Sequence, residues 1–143
     1  MDQAALYTHL RQQRYGVVSS LSGAGTPQSA LVGIAVTPEL EIVFDMLRSS
    51  RKFANLTARP ACSFVIGGWS GEQTAQYEGS AFEPSGVERT RYQEIYFEVW
   101  PGGRERMQSP GITHLVVRPS WIRYSDFEQR PPLIQEFTFP LPA

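Results

Sequence analysis

Apolar residues along this chain fall mostly at alternate positions in short runs, with only a few stretches spaced at helical intervals. Leu6 and Leu10 lie one turn apart behind Asp2, which predicts a capped helix over roughly residues 3–13. Tyr15–Leu21, 28–37 and 40–45 read as three strands, separated by Ser22-Gly23-Ala24-Gly25-Thr26-Pro27 and by Pro38-Glu39. Connections this short predict an antiparallel meander, because parallel neighbours need long crossovers. Phe53 and Leu56 give an apolar face to a helix over Arg51–Ala58, which Pro60 stops. Strands follow at 62–66 and 74–82 around a Gly67-Gly68-Trp69-Ser70-Gly71 turn, with Gly79 marking a bulge or bend. Ser85-Gly86-Val87-Glu88 reads as a capping box opening a helix to about Trp100, with Tyr92, Ile95, Tyr96 and Val99 on one face. Residues 112–117 and 121–124 read as two strands broken by Pro119, and a proline-rich tail over 131–142 holds an extended piece at 134–139.

Six or seven short strands with few helices predict a mainly β (α+β) fold, a closed or partly closed antiparallel barrel with helices over its ends and edges. The 143 residues suit one domain with a sizeable core. A net charge of −1, with the 13 basic residues spread along the chain, excludes a basic nucleic-acid surface. No apolar run reaches the ~18 residues a bilayer span needs. The start Met1-Asp2-Gln3 lacks a signal-peptide pattern, so a cytoplasmic protein is expected. Cys62 sits in an apolar run and reads as a buried thiol. His9 and His114 are not close in sequence, so no metal site is expected. Gly23-Ala24-Gly25 precedes a strand rather than a helix, which excludes a dinucleotide fingerprint, and neither a Walker loop nor a Gly-x-Ser-x-Gly elbow occurs.

Charge changes the picture at Phe44-Asp45-Met46-Leu47-Arg48-Ser49-Ser50-Arg51-Lys52. A helix N-terminus carries partial positive charge and unpaired N–H groups, so each exposed cation there costs a few tenths to about 1 kcal/mol. Arg48, Arg51 and Lys52 together therefore point to an anion, with serine hydroxyls and backbone N–H groups completing a phosphate cradle. A solvated helix start is the plainer reading of the same charges.

In this order, Tyr15-Gly16-Val17-Val18, Pro27-Gln28-Ser29-Ala30-Leu31-Val32, Phe44-Asp45, Ser50-Arg51-Lys52, Asn55-Leu56 and Arg59-Pro60 resemble the pyridoxamine 5′-phosphate oxidase-like family. The resemblance covers roughly residues 5–125. It implies a six-stranded antiparallel split barrel with Greek-key character, a homodimer, and FMN at the dimer interface. It implies that Arg51 and Lys52 bind the FMN phosphate with Ser50 at the turn. Phe44 and Asp45 would sit beside the cofactor, the backbone of Ala30, Leu31 and Val32 would pass along the flavin ring, and Gln73 or Thr74 would reach the ring or ribityl chain. Two cations on the family's second strand are replaced here by Ala30 and Ala35, and its C-terminal Arg-x-His segment has no counterpart. The resemblance therefore implies a flavoprotein relative, an oxidoreductase acting on a small molecule other than the oxidase's own substrate. The second reading is a carrier that holds flavin, a deazaflavin (F420) or haem without turnover.

No catalytic acid or base can be named, since a bound flavin would carry the redox chemistry. The segment 100–106 reads as a surface loop or as a lid whose Arg104 or Arg106 meets an anionic substrate. Tyr92, Ile95, Tyr96 and Val99 read as core or dimer contacts, and Trp69 and Trp121 as packing residues.

Overall fold

The computed structural model describes residues 1–140, so the last residues of the tail expected over 131–142 lie outside the described residues. The alternating runs form β1 (Tyr15–Leu21), β2 (Pro27–Gly33), β3 (Ala35–Val36), β4 (Ile42–Leu47), β5 (Ala61–Gly67), β6 (Gln73–Phe82), β7 (Ile112–Asp126) and β8 (Leu133–Thr138). The helices are α1 (Gln3–Leu10), α2 (Arg51–Ala58), α3 (Gly86–Val99) and the single turn α4 (Gly103–Arg106). None of them is long and apolar enough to cross a membrane.

Every strand pair is antiparallel, and the hydrogen-bonded order is β2-β1-β5-β6-β7-β4-β3, with β8 added on β7. The strand expected over 28–37 is kinked at Ile34 into β2 and β3. Its first part pairs with β1 and its last two residues pair with β4. Counted as one strand, it closes a six-stranded circuit, and among the described residues β2 is left with no hydrogen-bonded neighbour on its other edge. That opening is the split of the barrel. Ile34 is fully buried at the kink: its N–H bonds Arg14 O at 2.9 Å and its carbonyl accepts from Trp100 Nε1 at 3.0 Å. Gly33 leaves room for the indole, since a Cβ there would lie 2.8 Å from Trp100 Cζ2.

The expected meander holds for β1 and β2 but not for the third strand. β4 meets β3 over two residue pairs and otherwise pairs with β7, which gives the Greek-key character. The helix expected to residue 13 stops at Leu10, because Gln12 and Gln13 turn back onto His9 and Leu10 and free Arg14 for the kink. Ser85 makes no side-chain cap, since Gly86 enters α3 at φ +60°. α3 buries Tyr92, Gln93, Tyr96 and Phe97, a face turned slightly from the expected one, with Ile95 and Val99 at its margin.

The barrel interior is filled by inward residues of each strand together with Leu6 and Leu10 of α1. Fully burying each such Leu, Phe or Ile contributes roughly 1.5–3 kcal/mol. Phe64 packs edge-on against Phe44 and Tyr77, at centroid distances of 5.6 and 6.0 Å. The Tyr77 hydroxyl lies within hydrogen-bond distance of the Leu40 and Val117 carbonyls, at 2.7 and 3.0 Å. A second cluster forms outside the barrel, where Ala35, Val43 and Val116 meet α3. Trp69, expected to pack, is 48% exposed in its glycine turn.

Pro119 does not break β7. The strand runs unbroken over 15 residues because the register shifts between Glu78 and Gly79, where Gly79 faces Pro119. Proline is tolerated in sheets at such bulges, where no ladder N–H is required. A Cβ on Gly79 would collide with the Arg118 carbonyl and sit 2.8 Å from Val117 Cγ1. Gly79→Ala is therefore expected to destabilise by about 1–3 kcal/mol, read as a lower urea midpoint at unchanged m-value; an unaltered midpoint would show that the bulge can open at no cost.

Candidate functional site

The strand-to-helix turn after β4 builds the site. Ser50 caps α2: its Oγ accepts from Phe53 N at 3.4 Å and donates to Leu47 O at 2.7 Å. The first turn of α2 holds no acidic residue, and Arg51 and Lys52 occupy it instead. Asn55 and Leu56 are the buried face of this helix. Asn55 Nδ2 donates to Ser20 Oγ at 3.0 Å on β1 and to Gln28 Oε1 at 2.8 Å on β2. These two bonds tie the middle of the helix to β1 and β2. Between them lies a notch of about 130 Å³ lined by Val18, Ser20, Gln28, Ser29, Ala30, Arg51 and Lys52.

Arg51 and Lys52 form no salt bridge among the described residues, so the notch holds two uncompensated cations at the positive end of a helix. Arg48 does not join them. It pairs with Glu83, which also accepts from the Thr113 hydroxyl, and it lies over the Phe53 ring. The cluster of three cations read from the sequence is thus two cations facing the notch and one engaged elsewhere.

The other expected site residues divide by strand phase. Ala30 lines the notch, Leu31 is 66% exposed on the outer face, and Val32 returns to the core. Phe44 is fully buried inside the barrel against Phe64. Asp45, its neighbour on β4, points the opposite way, toward α3 and α4. Gln73 and Thr74 start β6 opposite Gly67, whereas the notch lies near the Ala61 end of β5. The seven residues of β5 separate those ends by about 20 Å. Gln73 bonds Asp126 and Glu128 there. One chain therefore gathers Ala30, Ser50, Arg51 and Lys52, and leaves Phe44, Asp45, Gln73 and Thr74 elsewhere.

Asp45 belongs to a second polar cluster. It pairs across the sheet with His114 and is gripped by Arg106, whose Nε lies 3.2 Å from Oδ2 and whose Nη2 donates to Oδ1 at 3.2 Å. Arg104 pairs with Glu94, and Trp100 is wedged on Gly33. The segment 100–106 is thus tied down at three points, and neither arginine faces the notch. His114 is 1% exposed, edge-on to Tyr96 and Phe97, with Nδ1 3.4 Å from Gln93 Nε2. Burial lowers its pKa, Asp45 pulls the other way, and Arg89 and Arg106 lower it further. Burial and then the Asp45 charge push the Tyr96 phenol up. Burial also raises the half-buried Cys62 thiol to about 12, which keeps it protonated and inert.

Sequence reasoning missed Ser20, Gln28 and Asn55. Their signal was a polar residue in phase with inward apolar ones: Ser20 with Val18, Gln28 with Ala30 and Val32, and Asn55 beside Leu56.

The profile of the pyridoxamine 5′-phosphate oxidase family matches residues 3–126, and the chain belongs to that family. Solved structures share the fold at low identity. A haem-binding protein from Mycobacterium smegmatis aligns with a TM-score of 0.81 at 15% identity, over 96% of this chain and 58% of its own. A pyridoxamine 5′-phosphate oxidase-related, FMN-binding protein from Nostoc punctiforme aligns with a TM-score of 0.69 at 11% identity, over 96% and 94%. An F420 reductase aligns with a TM-score of 0.62 at 17% identity, over 81% and 94%. No curated protein matches the sequence.

His114 gives the fold a signed pH dependence. Its folded pKa lies below the ordinary 6.5, so the unfolded chain takes up the proton first as pH falls. Stability is therefore expected to drop from about pH 6.5 downward until the folded pKa is reached. His9, also lowered by burial, adds in the same direction. His114→Gln should give a shallower fall in the urea midpoint between pH 7 and 5 than the unsubstituted chain, whatever its stability at pH 7. An equal fall in both would assign the acid sensitivity to other groups.

Proposed function

We propose that this chain is one FMN-binding domain of a homodimeric, cytoplasmic oxidoreductase that acts on a small molecule. The observation that carries this reading is the pair of cations, Arg51 and Lys52, unpaired among the described residues, at the start of α2 in a notch lined by β1 and β2. A terminal phosphate is an acceptor-only anion, and it fits guanidinium, ammonium and helix N–H donors together.

The rest of the group has a matching surface. Among the described residues β2 has no ladder partner on one side, so the outward backbone N–H and C=O groups of Ser29, Leu31 and Gly33 are available there, while those of Gln28, Ala30 and Val32 face β1. They would meet the alternating donors and acceptors along the edge of an isoalloxazine ring. Bound there, FMN would supply the electron-accepting and hydride chemistry; the chain's part is to anchor the phosphate, orient the ring and exclude water.

The size of the notch supports the dimer. Sites for ligands of this kind usually enclose about 300–1,000 Å³, and the notch of about 130 Å³ holds a phosphate end only. On the outer face, Val17 lies between Leu31 and Val65 in one cross-strand row, and Leu31 and Val65 are 66% and 45% exposed. A second copy over that face would both cover the row and close the site. It would also give Gln73 and Thr74, remote within one chain, a route to the cofactor.

A deazaflavin phosphate would suit the same notch, which keeps an F420 carrier as the second reading. Haem is less suited, because His114 is enclosed under α3 and His9 packs against Tyr124.

Titration of the purified chain with FMN is expected to quench flavin fluorescence. Arg51→Ala with Lys52→Ala should weaken FMN by about a hundredfold or more and leave riboflavin, which lacks the phosphate, nearly unchanged. Equal affinity in the double variant would remove these residues from the site. Stopped-flow mixing of the loaded protein with NADH or NADPH under nitrogen separates enzyme from carrier by whether the flavin bleaches.

A further inference from the structure

Resting on the flavin-phosphate reading above, we infer that Asn55 is a positioning residue: it fixes which atoms of Gln28 and Ser20 face the notch, and so selects a fully ionised phosphate. Asn55 is 8% exposed and touches no ligand space itself. Its amide nitrogen has two N–H donors, and both are used, one on Ser20 Oγ at 3.0 Å and one on Gln28 Oε1 at 2.8 Å.

Each bond settles the polarity of its partner. Gln28 turns its carbonyl oxygen down to α2, so its own NH₂ group is what remains for the notch. Ser20 Oγ accepts from Asn55, so its O–H is free to donate. Arg51 and Lys52 can only donate. The remaining hydroxyl, Ser29 Oγ, is engaged with Ser19 Oγ at 2.8 Å across the strands. The notch is thereby lined with donors from two strands and a helix. A phosphate monoester above its second ionisation, near pH 6, offers only acceptors and matches that lining. A protonated phosphate brings an O–H whose only side-chain acceptors in that lining are the remaining lone pairs of the Ser20 and Ser29 hydroxyls, a poorer match than an anion that only accepts.

The polarity is set from beneath, by a residue outside the ligand's reach. Reversing the amide would reverse the lining: an acceptor-only side chain at position 55 forces Gln28 to donate downward and to present its oxygen to the anion.

The test compares FMN and riboflavin affinities of the full chain by fluorescence quenching, as a function of pH. For the unsubstituted protein the FMN Kd should rise about tenfold per unit below about pH 6, with riboflavin flat. Among the described residues, Arg51 and Lys52 on α2 are the only ionisable ones lining the notch, and β1 and β2 contribute none. Asn55→Leu should weaken FMN about ten- to a hundredfold, yet have little effect when Gln28→Leu is already present. Equal losses in both backgrounds would mean that Asn55 does not act through Gln28, and would overturn the inference. Asn55→Asp keeps the size and both contacts with reversed polarity, and guards against a leucine variant that fails to fold. Its FMN affinity should depend less on pH below 6, because Gln28 Oε1 now accepts from the phosphate O–H; this shallowing should vanish in Asn55→Asp with Gln28→Leu, which keeps the new carboxylate's own titration but lacks that acceptor. A slope as steep as that of the unsubstituted chain would also overturn the inference. Failure of the unsubstituted chain to bind FMN would instead overturn the flavin reading on which this one rests.

Discussion

The barrel is held closed by one residue that serves two ladders. Ile34 marks where the strand leaves β1 and joins β4, and a chain that changes partners there risks stranding its peptide groups. Both groups are satisfied, one by Arg14 O and the other by the Trp100 indole. The Arg14 guanidinium in turn lies over the same indole and donates to Val99 O. A buried peptide group without a partner would cost about 1–3 kcal/mol, so the end of α3 acts as part of the sheet. The position of α3, and with it the second core of Val43, Val116 and the aromatic face, follows from that junction.

Closing the circuit on one side of the kink leaves the other side open, and the site occupies the opening. α2 packs on β1 and β6 beside it, reaches β2 through the Asn55–Gln28 bond, and presents side-chain donors to the notch. Two forces act there in opposite senses. Arg51 and Lys52 are disfavoured at a helix start by the dipole, by up to about 1 kcal/mol each, while Asn55, Leu56 and the Ser50 cap hold the helix in place regardless. The fold thus supports an electrostatic mismatch that a bound anion would relieve. Arg48, three residues earlier, shows the alternative: given a carboxylate it pairs with it and takes no part.

Element positions were largely legible from periodicity, because alternation is a local property. Gly79 was readable as a bulge since an isolated glycine in a strand has few other uses. Partner choice was not readable. Short connections argued for a meander, yet β4 lies beside β7, a strand some seventy residues distant in the chain. Pro119 was read as a break because the compensating register shift sits on the neighbouring strand, at Gly79. In the site, the cations were visible as charges in the wrong place. The resemblance placed Phe44 and Asp45 together beside a cofactor, whereas the two-residue period of a strand sends neighbours to opposite faces. Ser20, Gln28 and Asn55 were overlooked because each alone is an ordinary polar residue, and only the fold brings them within 3.0 Å.

The unpartnered edge of β2 has a consequence for the empty protein. A strand with free peptide groups on one side is a template for pairing with other chains. Seven residues begun by a proline and ended by a glycine limit how far such stacking could run. Occupancy of the seam would then matter to colloidal behaviour as well as to chemistry, with the unliganded form the more prone to self-association.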